Sequence, residues 1–133
     1  MEQIFHNEYM LVKVDMDKKV LYWEWTPKDE EFSDEQFLAH TQQLVDYARE
    51  YDCGHAIENA LQSKFIISPE LQERFASEIL VQADALKLAV VNPQEMIVGI
   101  ANEQWYSEAG ERKFEDRYFT SLEEAHKWIY QSL

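Results

Sequence analysis

The sequence predicts an α/β fold: a mixed β-sheet of four to five strands with helices packed on it, in the order β-β-α-β-α-β-α-β-α. Three observations predict it. Short apolar segments of strand length alternate with longer stretches of helical periodicity. Serine caps open the helical stretches. One segment, Leu86 to Val91, is apolar at nearly every position, which marks a strand covered on both faces.

Residues Glu8 to Asp15 read as the first strand, with Tyr9, Leu11 and Lys13 alternating against Met10, Val12 and Val14. A polar turn, Asp15-Met16-Asp17-Lys18, leads into a second strand, Val20 to Thr26. Its Leu21, Trp23 and Trp25 share one face, with Val20, Tyr22 and Glu24 on the other, and Pro27 ends the hairpin because it cannot donate to a ladder. Ser33 followed by Gln36 is a capping box, and Asp34 and Glu35 suit the positive end of the helix dipole. Phe37, Thr41, Leu44, Val45 and Ala48 then form one stripe, and the helix is expected to end near Tyr51 with Gly54 supplying a left-handed cap or turn.

His55 to Ala60 reads as a short third strand. Ser68-Pro69-Glu70 opens a second helix, with Leu71, Phe75, Ala76, Ile79 and Leu80 on its buried face. After the strand at 86–91, Pro93 begins a segment to about Gly110 read as one helix. Lys113 to Phe119 is the last strand. Ser121 and Glu124 repeat the capping pattern before a helix that buries Leu122, Ala125, Trp128 and Ile129.

A chain of 133 residues suits a single domain, 1–133, large enough for one core, with few glycines or prolines for linkers. Its net charge of -14 repels phosphate backbones and anionic headgroups, so neither nucleic acid nor a membrane surface is expected as a partner. No apolar run is long enough to span a bilayer and no signal peptide is visible, so a cytoplasmic location is expected. The single cysteine, Cys53, suits a reducing compartment.

Few residues of the chain fall into a pattern that carries chemistry. None of His6, His40, His55 and His126 pairs with another at the spacing of a zinc helix motif, and Cys53-Gly54-His55 supplies at most two of four ligands. His40 and His126 are expected in solvent. No nucleophile elbow, Gly-rich loop or phosphate-binding lysine motif occurs, so no cofactor is expected. Glu58 and Asn59, at the C-terminal end of a strand in a parallel-type sheet, occupy the usual ligand position of such folds. Ser63 and Ser68 follow, and Ser68 reads as an N-cap that a phosphate could also exploit. Trp105 and Tyr106 lie in a polar, weakly periodic stretch, where an exposed aromatic patch would favour a protein interface or a homodimer.

These elements together resemble the SpoIIAA-like branch of the STAS superfamily, described in places as STAS/SEC14-like. The resemblance covers nearly the whole chain. It rests on the hairpin ending in Trp25, on Ile67-Ser68-Pro69-Glu70, and on Leu88-Ala89-Val90-Val91. Its most specific part is Arg117-Tyr118-Phe119-Thr120-Ser121-Leu122-Glu123-Glu124-Ala125 with Trp128-Ile129. The resemblance implies a non-enzymatic, bacterial-type regulatory role through protein–protein contact. Better-studied members carry a phosphorylatable serine after an aspartate. Here Ser68, the nearest positional match, follows Ile66-Ile67, so that switch is not carried over.

The leading expectation is therefore a regulatory or interaction domain. The alternative is a carrier of a small molecule or lipid, with an apolar pocket between the sheet and the 93–110 segment. An enzyme using Glu58, Asn59 and His55 or His6 ranks last.

Overall fold

The computed structural model describes residues 1–83, 86–94 and 114–133. Three antiparallel strands open the chain: β1 (Glu2–His6), β2 (Met10–Asp15) and β3 (Val20–Trp25). The sequence reading found β2 and β3 but not β1. Asn7 makes the first reversal, its side-chain oxygen accepting from the backbone N–H of Tyr9 (2.8 Å) and Met10 (2.9 Å). Asp15 makes the second in the same way, accepting from Asp17 and Lys18, and Lys19 adopts the left-handed backbone the turn requires.

After Trp25 the chain turns once through Pro27–Glu31 and enters α1 (Asp34–Glu50). Both halves of the capping box form: Ser33 Oγ accepts from Gln36 N, and Gln36 Oε1 accepts from Ser33 N. The helix ends in a Schellman arrangement, with Cys53 N donating to Ala48 O and Asp52 N to Arg49 O. Its left-handed residue is Asp52 (φ 55°), not Gly54 as expected. A short polar side chain tolerates that conformation, so glycine is not needed.

Next come β4 (His55–Asn59), α2 (Pro69–Glu78), β5 (Leu86–Val91), β6 (Phe114–Phe119) and α3 (Leu122–Gln131). Ser68 and Ser121 cap α2 and α3. The helix expected over 93–110 falls largely outside the described residues.

The fold is α/β, and the described residues form one sheet of six strands rather than four to five, in the order β1-β2-β3-β4-β5-β6. The β3–β4, β4–β5 and β5–β6 pairs are parallel, so the sheet is mixed. Right-handed crossovers that add strands in one direction place successive helices on one face. Accordingly α1 and α2 both pack against Leu21, Trp23, Ala56, Leu88 and Val90, while α3 covers Val20, Ile57, Ala89 and Val91 on the opposite face. Residues 88–91 are thus covered on both sides, as the apolar run predicts. Among the described residues no helix is long and apolar enough to cross a membrane.

Candidate functional site

Between the sheet and the α1–α2 layer lies a cavity of about 380 Å³. Alternation along β3, β4 and β5 brings Trp23, Ala56, Glu58, Leu88 and Val90 to its floor. Helical spacing brings Phe37, Leu44 and Ala48 of α1 and Phe75 of α2 to its roof. One wall is a run of touching rings: Phe75 meets Phe37 edge-on, Phe37 stacks on Phe65 at 4.9 Å, Phe65 meets Phe32, and Phe32 meets Trp25.

Two sets of hydrogen bonds bridge the elements that line the cavity. Asp29 is wholly buried, and its carboxylate accepts from Ser63 Oγ and from Lys64 N (2.8 Å), tying the β3–α1 turn to the β4–α2 loop. Elsewhere Gln42 and Gln82 exchange side-chain amide hydrogen bonds at 2.9 and 2.7 Å, and Arg49 donates to Gln82 O. These bonds join α1 to the turn that follows α2.

The polar groups of the lining are mostly committed. Thr41 Oγ1 donates back to the carbonyls of its own helix. Glu58 accepts from Trp25 Nε1 at 2.8 Å. Burial pushes the Cys53 thiol up to about 11, so it is a thiol and not a thiolate near neutrality. Trp23 Nε1 is buried and finds no acceptor among the described residues. A buried donor left unpaired costs about 1–3 kcal/mol.

The structure separates the two residues that the sequence places together at the end of β4. Glu58 faces the cavity. Asn59 faces the α3 side, where its Nδ2 donates to Tyr22 Oη (2.9 Å) and Glu24 Oε1 (3.2 Å). Adjacent residues of a strand point to opposite faces, so no single site can hold both. Tyr22 also donates to Glu24, and burial pushes its phenol up to about 12. Ser68 is the N-cap of α2, accepting from Leu71 N, and Ser63 is the hydrogen-bond partner of Asp29. Trp105 and Tyr106 lie outside the described residues.

The histidines are also placed differently from expectation. His40 is half-buried: its Nδ1–H donates to Gln36 O, its Nε2 accepts from Asn7 Nδ2, and its ring packs on Tyr9 and Phe32. His126 is half-buried and stacked on Tyr130, and burial lowers its pKa. Desolvation lowers that of His55 as well, with Lys87 adding to the effect. Among the described residues no three of His, Cys, Asp and Glu gather as a metal ion requires.

Two elements of the site escaped the sequence. Asp29 sits in the acidic run Lys28-Asp29-Glu30-Glu31 and carries no local signal of burial. Trp23 was on the correct face by alternation, but its lone N–H appears only in three dimensions. Compared with known proteins, the chain matches no family model, no curated protein and no solved structure.

Proposed function

We propose that this chain is a binding domain for a small, largely apolar molecule held between the sheet and the α1–α2 layer. The observation that carries the reading is the ring-walled cavity of about 380 Å³. Small-molecule sites are typically concave, mostly apolar and roughly 300–1,000 Å³, with a few polar groups that orient the ligand. Of the carboxylates in the lining, those of Asp29 and Glu58 are already hydrogen-bonded within the protein, which favours binding over catalysis. This pocket is roofed by α1 and α2, and the 93–110 segment against which one was expected lies largely outside the described residues.

The test is native mass spectrometry of protein purified gently from its own cells, followed by solvent extraction of whatever is retained. An extra mass is expected on the natural chain and is expected to be lost from Ala56→Phe, which fills the cavity floor. A chain that retains nothing and binds no apolar dye would overturn the reading.

A regulatory interaction role, the expectation from the resemblance, has one observation in its favour. In the loop that supplies Phe65 to the cavity wall, the next residue, Ile66, is 89% exposed. Occupancy inside and contact outside would then meet in one loop. Ile66→Asp is expected to abolish partner capture without changing dye binding. Unchanged capture by that variant counts against the role.

A further inference from the structure

We propose that the ligand is an unbranched aliphatic molecule with one polar end, its chain lying along β4 and its polar end in the mouth beside Arg49 and Asp52. This assignment rests on the binding role proposed above and adds to it the shape of the ligand.

The cavity floor is a trough. Positions 54, 56, 58 and 60, in β4 and at its two ends, share one face, and three of them are small: Gly54, Ala56 and Ala60. Larger side chains stand on both neighbouring strands, Leu21, Trp23 and Trp25 on β3 and Leu88 and Val90 on β5. Glu58, the fourth, turns toward β3, where its carboxylate accepts from Trp25 Nε1. Strands two apart in a sheet are separated by roughly 10 Å. Less the thickness of the side chains on either side, that leaves a lane one hydrocarbon chain wide.

The trough is long as well as narrow. Gly54 to Ala60 spans roughly 20 Å of strand, and the lining residues of α1 run from Phe37 to Arg49, about 18 Å of helix. One end opens to water. Among the described lining residues only Arg49 and Asp52 are exposed, and both lie where α1 ends. Beside them, a Cβ added at Gly54 would meet nothing within 4 Å, so the trough is open at that point. At the other end Trp25, Asp29 and Asn92 are buried. A polar group carried to the buried end loses its water, whereas one in the mouth keeps it, and this sets the direction of the molecule. Arg49 and Asp52 carry opposite charges, so the mouth selects for polarity and not for one sign.

The experiment uses the full chain and displacement of a neutral fluorescent dye, N-phenylnaphthylamine. Dodecan-1-ol is expected to displace it about tenfold better than cyclododecanol, the worth of roughly two methylenes that a ring cannot bury in the lane. The two probes share their carbon count and their single hydroxyl, so shape is what separates them. From octan-1-ol upward, affinity should rise about fourfold per added methylene and level off before octadecan-1-ol, where the chain meets the closed end. Gly54→Trp places a ring in the open mouth and should bring that levelling forward by several carbons, with the urea midpoint showing that the variant is folded. Cyclododecanol binding as tightly as dodecan-1-ol, or a rise that continues to octadecan-1-ol, overturns the assignment, and neither reading needs a variant. An unchanged levelling point in folded Gly54→Trp overturns it too. All three outcomes leave the cavity reading intact, whereas failure of the dye to bind at all removes both.

Discussion

On the α3 side of the sheet, Val20, Ile57, Ala89, Val91, Ala125 and Ile129 are wholly buried against one another. On the other side, Trp23, Trp25, Phe37 and Phe75 stand around open space. The same strands supply both faces, so backbone geometry is not what distinguishes them. Side-chain size is. Alanine at positions 89 and 125 lets α3 settle onto β4 and β5, as small residues do wherever two elements approach closely. Large rings hold α1 and α2 further off and cannot fill the corners they create. Close packing thus secures one face, and the other keeps room for an occupant.

The comparison can be broken most directly at Ile129. Ile129→Ala opens a hole in the close-packed face and is expected to cost about 3 kcal/mol, read as a lower midpoint in urea denaturation. If it costs under about 1 kcal/mol, that face is not close-packed. Next in size is a matched pair on strands β5 and β4. Ala89→Leu overfills the α3 face and should destabilise by about 2 kcal/mol, whereas Ala56→Leu, beside the cavity, should change stability by less than about 1 kcal/mol in either direction. Equal penalties would erase the distinction between the faces.

Asp29→Ala tests the bridge between the β3–α1 turn and the β4–α2 loop. It strands the Ser63 hydroxyl and the Lys64 N–H and is expected to cost about 2 kcal/mol. It should also accelerate dye exchange from the cavity, which stopped-flow fluorescence would measure. A variant as stable as the natural chain, with unchanged exchange, would mean that this bridge does not limit access to the cavity.

The smallest effect is in alkali. An unfolded tyrosine ionises near pH 10, while buried Tyr22 keeps its proton to about 12. Its contribution is fully present below pH 10 and is lost as pH rises towards 12, because only the unfolded state gains by ionising there. Denaturation midpoints for Tyr22→Phe should fall less steeply than those of the natural chain over that window. Parallel curves would show that Tyr22 is not the buried group responsible.

Much of the fold was legible because its signals are local. Ser33, Ser68 and Ser121 each cap the helix they were expected to cap, and alternation assigned Leu21, Trp23 and Trp25 to one face of β3. Strand β1 was not read because its five residues include Glu2, Gln3 and His6 and lack a clean apolar face. The Asn7 turn after it was the available clue. The cavity was beyond reach for a different reason. Periodicity says which residues face inward, but not whether the side chains that meet there touch. Glu58 and Asn59 could have been separated by the period of two alone.

The strand order is also the order of synthesis. After the opening meander, every later strand joins at the free edge left by the one before it, and none has to insert between two already paired. A ribosome can therefore release this sheet as it grows, each arriving segment finding its template already laid down, with α3 closing the second face last.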